Sequence, residues 1–293
     1  MKQYVIYTAI IGNYDTIHQP LVVDDRFDYI LFSDCIKEKQ IGVWQVRQID
    51  YHHDIQVKTA RYVKTHPHTL LSNYQSSVWI DASFLITSNY IYERTAELTH
   101  NHCVIATHLH QDWTCTYQEM LSMIRYQWES EDVTLQWGRY LRKEHFPRWI
   151  GTWETGVLFR MHTNPRIVEL DEKWWHCIDL YSRRDQYSFR YVLWKLQIDC
   201  ISFLPVECDV RNQEHYKLME HRSVSKQISP AKPISWILRY FLKHTDDCLM
   251  IENIYYWIYG RKYPKFWVSL IGQLLRIKHL VDRIIFNRKC VYN

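Results

Sequence analysis

Val78-Trp79-Ile80-Asp81-Ala82-Ser83 reads as a short buried strand that ends in an acid and a hydroxyl. Apolar and aromatic residues in succession belong in a sheet interior. A carboxylate directly after such a strand stands on the rim of the sheet, where α/β folds bind their ligands. Asp81 with Ser83 is therefore placed to hold a divalent cation or a polar ligand. The competing reading is an aspartate that opens a turn, and the surrounding chain has to decide between them.

Upstream, residues 4–10 read as a first buried strand, and Gly12 to Asp15 as a turn. Residues 27–32 form a second strand and 43–46 a weaker third. Residues 54–66 have helical character and stop at Pro67. Lys58, Arg61 and Lys64 recur there at three-residue spacing and share one broad helix face. Strand, turn, strand, helix, strand is an α/β pattern. Downstream, 103–107 reads as a strand, 116–128 and 131–143 as helices, and 153–160 as a turn leading into a strand. Helices are expected over 165–180 and 182–196, and a last strand over 201–204. No internal repeat is present. The texture changes at Ser229, with Pro230, Pro233 and Pro264 as punctuation. This gives one α/β domain over 1–228, with a nucleotide-binding half at about 1–100 and an acceptor half at about 101–228, and a helical extension over 229–293.

Composition narrows the function. The 293 residues are 47% hydrophobic and 15% aromatic, enough for a sizeable core. Only 7 glycines occur, and neither GxGxxG nor a P-loop is found, which argues against dinucleotide oxidoreductases and P-loop NTPases. No GxSxG elbow marks a serine hydrolase. The formal charge of +4 is uneven: residues 255–293 carry eight Lys/Arg against one acid, Asp282, a net +7 that leaves −3 for the rest. Over Phe266–Phe286 apolar residues interleave with the cations, and this stretch reads as an amphipathic basic helix. It either closes onto the body or lies on an anionic membrane. Its apolar content speaks against nucleic acid. The 8 cysteines are scattered without a CxxC pair, which fits free thiols in a reducing compartment. No run approaches the ~20 apolar residues of a membrane span. The first strand begins almost at once, so no leader peptide is expected. His66 with His68, and His52 with His53, suggest zinc, but no third ligand stands at the usual spacing.

Four motifs, in order, carry a resemblance. They are Tyr7-Thr8-Ala9-Ile10-Ile11-Gly12-Asn13-Tyr14-Asp15, Trp79-Ile80-Asp81-Ala82-Ser83, Glu154-Thr155-Gly156 and Ser182-Arg183-Arg184-Asp185-Gln186. Over about residues 1–205 the chain resembles a glycosyltransferase-like family of bacterial polysaccharide clusters and plant Golgi proteins. The motif order is also similar to glycosyltransferase family 8, a retaining GT-A group. Asp81-x-Ser83 stands where that group has DxD, and Glu154-Thr155-Gly156 where it has Asn-x-Gly. The resemblance implies a GT-A-like, Rossmann-like mixed sheet flanked by helices. It implies a hexosyltransferase-like enzyme that moves a sugar from a nucleotide-sugar, a UDP-sugar, to a glycan or lipid-linked acceptor. Such an enzyme would work on the cytoplasmic side, at the inner face of the plasma membrane, in capsule, O-antigen or lipopolysaccharide assembly. The rival classes are a metal-dependent hydrolase of a nucleotide-sugar or lipid-linked substrate and a non-catalytic carbohydrate-binding protein.

The resemblance also assigns residues. Mn²⁺ or Mg²⁺ would be held by Asp81 and Ser83, completed by His215 or His221, because these ions prefer oxygen ligands and neutralise a departing diphosphate. Tyr7, Thr8, Ala9 and Tyr14 would frame the base, with core packing the rival for Tyr7. Arg61 and Lys64 would grip the diphosphate, with a solvated helix face as the rival. Ala82, Thr155 and Gly156 would line the donor. Asp185 and Gln186 would sit beneath the sugar ring. The spacing Ser182-x-x-Asp185 also fits a capping box. Glu154 would touch donor sugar or acceptor hydroxyls, or simply decorate a turn.

Overall fold

A computed structural model describes residues 2–12, 14–110, 113–205, 208, 210, 213–220 and 277. The chain runs β1 (Tyr4–Ile10), β2 (Phe27–Ser33), β3 (Gln40–Ile41), β4 (Trp44–Gln48), α1 (Gln56–Thr65), α2 (Pro67–Leu70), β5 (Ser76–Ile80), β6 (Phe84–Ile86) and α3 (Tyr90–His100). It continues through β7 (Ile105–Leu109), α4 (Thr116–Tyr126), α5 (Glu131–Lys143), β8 (Trp153–Arg160), α6 (Pro165–Leu180), α7 (Asp185–Leu196), β9 (Ile201–Ser202) and β10 (Tyr216–Leu218). Two units divide it, residues 1–112 with 151–225, and residues 113–150 with 226–293. The boundary expected at 228/229 lies outside the described residues. Of the expected C-terminal extension only Ile277, helical, is described.

The first unit is a mixed eight-stranded sheet in the order β3-β4-β2-β1-β5-β8-β7-β9. β1 pairs parallel with β2 on one side and with β5 on the other. β8 lies antiparallel between β5 and β7. This is the expected α/β architecture. Because β2 and β4 build outward from β1 in one direction and β5 in the other, the chain reverses its winding between β1 and β5. The crevice past their carboxyl ends is the place where such sheets take ligands.

The central strands are buried on both faces, so they read as near-continuous apolar runs. Alternation then sorts their side chains. Ile6, Val78 and Ile80 join Ile91, Tyr92 and Leu98 of α3 in one apolar cluster. On the opposite face Tyr7 lies under α1, its hydroxyl donating to the Lys64 carbonyl at 2.9 Å. Arg160 at the end of β8 is fully buried there. It donates to Asp171 of α6 and to the Lys64 carbonyl, each at 2.5 Å, and to the Tyr7 hydroxyl. One guanidinium thus ties β8, α6, β1 and the last turn of α1 together. Such a pair holds a geometry in place, since removing either partner strands a buried charge.

α1 stops where Pro67 predicts, and Pro67 opens α2 at its first position. α3, β6 and β10 are additions to the sequence reading. In the second unit α5 is capped by Ser130, whose side chain accepts from the Val133 amide at 3.2 Å.

Candidate active site

Asp81 is the first residue past β5, on the rim the sequence placed it on. Its amide donates to Gly156 at 2.8 Å and its carbonyl accepts from Phe84 at 2.9 Å, so the backbone is fixed from two sides. Its Oδ1 accepts from the Trp79 indole at 2.7 Å. The same oxygen lies 3.8 Å from Arg61 Nη1 and 3.8 Å from Lys64 Nζ. The side chain is 34% exposed, so the carboxylate faces solvent.

The two cations come from α1, one turn apart, as their spacing predicts. Arg61 Nε is 3.2 Å from Asp185 Oδ1. Lys64 Nζ donates to Asp185 Oδ2 and, at 3.1 Å, to the Thr155 hydroxyl, which in turn donates to Asp185 Oδ2 at 2.9 Å. The ammonium sits 5.5 Å from the Trp79 ring centroid and 5.8 Å from that of Trp174. Trp174 also donates its indole N–H to the Asp185 carbonyl at 2.8 Å. Burial works against the Asp185 carboxylate, but Arg61 and Lys64 outweigh it and hold this acid well below the usual range. Burial also opposes the Arg61 charge, and Asp185 and Asp81 more than offset it, raising the guanidinium. For Lys64, burial prevails over Asp185 and Asp81 and lowers the ammonium from its ordinary value. With Asp185 held ionised, the contact is an ammonium–carboxylate pair.

A bulge brings β8 to this cluster. Thr107 of β7 faces Leu158, but the next residue, His108, faces Glu154. Residues 155–157 therefore drop out of the β7 pairing, and the displaced segment carries Thr155 to Asp185 and Gly156 to Asp81. Position 156 requires glycine because a Cβ there would stand 2.8 Å from Phe84 Cε2 and 3.5 Å from Asp81 Oδ2. Glu154 lies in the strand, not in a turn, and its Oε1 is 3.7 Å from His110 Nδ1. His108 Nε2 contacts the Tyr216 hydroxyl, and burial pushes this imidazole down to about 3.

The structure thus brings together Arg61, Lys64, Asp81, Thr155, Gly156 and Asp185. It separates others. Tyr7 is wholly buried with its hydroxyl on the Lys64 carbonyl, so its ring offers no face to a base, and the core reading holds. Thr8 is also buried, with no hydrogen-bond partner for Oγ1 among the described residues. Ala9 is half-buried, and Ala82 and Ser83 are buried. Tyr14, 44% exposed, is not separated: its phenol lies close enough to act on the Arg61 charge. Gln186 is half-buried at the second position of α7. The capping box does not form: Ser182 Oγ accepts from Arg184 at 3.0 Å, and Asp185 turns to the cations instead. Lys58 leaves the group, donating to the Asp179 carbonyl at 2.6 Å.

His215 does not join Asp81. It pairs with Thr87 at one end of the β6–β10 ladder, while Ser83 bonds Met219 at the other. The two ends are about 14 Å apart at ~3.4 Å per residue. Its ring stacks on Tyr90 at 4.0 Å. His221 lies outside the described residues. No group of three or more His, Cys, Asp or Glu converges on a metal position among the described residues. Among the described residues, what remains for Mn²⁺ or Mg²⁺ is one carboxylate whose Oδ1 already holds an indole N–H and faces two cations. These residues do not fit a divalent ion. His66 and His68 do meet a third side chain, Glu172, at 3.8 and 2.9 Å, without forming a metal cluster.

The sequence reading also missed the roles of Trp79 and Trp174. Two indoles that each donate one N–H to an acid's side chain or backbone leave no local signature beyond being aromatic.

Fold and site together define an α/β protein with a cationic ligand site at the switch point of its sheet. The chain belongs to the TOD1/MUCI70 glycosyltransferase-like domain family, whose model matches residues 1–221. No match is found among curated proteins. Among solved structures the bifunctional glycosyltransferase WbbM is 11% identical over 86% of this chain and 51% of that one, with a TM-score of 0.45. The S. aureus protein TarS, solved with UDP-GlcNAc, is 9% identical over 98% of this chain and 73% of that one, with a TM-score of 0.41. The galactosyltransferase LgtC, solved with donor and acceptor sugar analogues, is 11% identical over 91% and 99%, with a TM-score of 0.35. The chain spans about half the length of WbbM. Membership of family 8 does not follow from these matches.

Proposed function

We propose that this chain transfers a sugar from a nucleotide-sugar, a UDP-sugar, to a glycan or lipid-linked acceptor in surface-polysaccharide assembly. The observation that carries the reading is the pairing of Arg61 and Lys64 with Asp81 and Asp185 at the switch point between β1 and β5. Sugar transfer builds negative charge on the departing diphosphate. Fixed cations in a partly dry site stabilise that charge without reorganising at the moment of reaction. Asp185, ionised and buried, is a poor proton acceptor; its part is to hold Arg61 and Lys64 in place. Glu154, at the other side of the bulge in the β7–β8 pairing, is the carboxylate we assign to an acceptor hydroxyl. The family, not the distant structural likenesses, supports transfer as the reaction class. The basic segment 255–293 would bring the enzyme to an anionic membrane carrying a lipid-linked acceptor.

The test is a panel of UDP-, GDP- and CDP-sugars, with release of the nucleoside diphosphate measured with and without lipid-linked and glycan acceptors. Acceptor-dependent release from a UDP-sugar is expected. Full turnover without any acceptor would make the protein a hydrolase. Glycan binding with no nucleotide binding would make it a lectin-like relative.

A further inference from the structure

We infer that Arg61 and Lys64 together take the place of a divalent cation on the donor's diphosphate, and that Asp81 is their displaceable counter-ion instead of a metal ligand. The inference rests on the transferase reading above and deepens it.

The two carboxylates of the cluster are held unequally. Asp185 is buried and in direct contact with Lys64, and the Thr155 hydroxyl donates to the same oxygen. Asp81 is 34% exposed and stands 3.8 Å from each cation, too far for a hydrogen bond to either. Two cations therefore share one permanent counter-ion and one loosely held one. An incoming diphosphate, doubly charged and rich in acceptors, outcompetes the loose partner, because Arg presents a fork and Lys a point charge suited to phosphate oxygens. The Trp79 indole, at 2.7 Å from Asp81 Oδ1, keeps that carboxylate from closing on the cations and sealing the site.

The same geometry disfavours a metal. A divalent ion on Asp81 would add two positive charges beside two already present. Among the described residues, Asp-x-Ser supplies no second carboxylate, Ser83 is buried, and His215 lies at the far end of its ladder. The charge a metal would bring to the diphosphate is already built into α1.

The two views give opposite signs for one substitution. UDP binding is measured by isothermal titration on the full chain, first in excess EDTA and then with Mn²⁺. We expect UDP to bind in EDTA, with affinity changed by less than about threefold on adding Mn²⁺. Asp81→Asn, nearly isosteric, should bind UDP in EDTA as tightly as the parent or more tightly. Arg61→Gln should bind about tenfold more weakly, the scale of one charge-assisted hydrogen bond. Lys64→Arg, which keeps the charge, should retain more affinity than Lys64→Met. Binding that appears only with Mn²⁺ and vanishes in Asp81→Asn overturns the inference and leaves the transferase reading standing. Binding of no UDP, GDP or CDP in either buffer overturns both.

Discussion

Lys64 Nζ and Asp185 Oδ2 are in direct contact, with the Thr155 hydroxyl 3.1 Å from the first and 2.9 Å from the second. The contact joins the last turn of α1 to the first residue of α7 across the bulge of β8. Lys64 is 1% exposed and Asp185 8%, so neither charge has water to fall back on. Breaking a buried pair from one side strands the other charge, which costs about 3–5 kcal/mol. Asp185→Asn should lose stability on that scale in urea denaturation. The double variant Asp185→Asn with Lys64→Met should lose less than the sum of the two single changes. A loss below about 1 kcal/mol in Asp185→Asn would mean the pair is solvated and holds nothing in place.

Gly156→Ala tests the close approach of β8 to Asp81. The new methyl would meet Phe84 Cε2 at 2.8 Å, and Phe84 is buried against Tyr216, so its ring cannot simply swing out. Overpacking of this kind costs about 1–3 kcal/mol. Nucleotide affinity should fall with it, because the neighbouring Thr155, bonded to Lys64 and Asp185, moves with that backbone. Phe84→Leu in the same chain should recover part of both losses. Failure of that second change to recover either would place the damage elsewhere.

The strands of the sheet were legible because parallel central strands are apolar on both faces, and β1 and β5 read that way without ambiguity. Arg61 and Lys64 were legible because a three-residue step on a helix keeps side chains on one side. The bulge between Thr107 and His108 was not, since a register slip leaves no mark on the residues that make it. The same limit misplaced His215: its distance from Asp81 is set by which residue of β10 pairs with Ile86, not by its place after the last strand. The spacing Ser182-x-x-Asp185 promised a cap, but two cations offer Asp185 more than a backbone amide does. Tyr7 was ambiguous for a different reason. Its neighbours alternate correctly for either role, and only the packing of α1 over that face decides it.

Acid should destabilise the protein well above the carboxylate range. Burial pushes His108 down to about 3 and His162 to about 4, whereas an unfolded imidazole titrates near ~6.5. The unfolded chain therefore binds more protons than the folded one below that value. For folded pKa values that are depressed, the stabilisation is complete above ~6.5 and is lost as pH falls toward the folded values, with a slope of up to about 1.4 kcal/mol per pH unit for each residue. Asp185, held low by its two cations, adds a further loss only below the ordinary carboxylate range of ~4. Asp171, which burial pushes up to about 7, works the other way over the same interval and offsets one of the two histidines. Urea midpoints should therefore fall below ~6.5 with a net slope of about one residue, and His108→Gln should flatten it. A stability that stays level from neutral pH down to ~5 would contradict the buried neutral state of both histidines.

Trp79→Phe separates the indole's hydrogen bond from its ring. The ring that lies under Lys64 is largely kept, while the N–H donated to Asp81 Oδ1 at 2.7 Å is lost. The smaller ring and the missing bond should together cost about 1–3 kcal/mol of stability. The sharper effect is on binding. Released from the indole, Asp81 is free to move toward Arg61 and Lys64 and to compete with a diphosphate for them, so UDP affinity in EDTA should fall. In an Asp81→Asn background there is no carboxylate left to compete, and Trp79→Phe should then change UDP affinity little. A Trp79→Phe effect of the same size with and without the Asp81 carboxylate would show that the indole acts through packing alone and that Asp81 is not restrained by it.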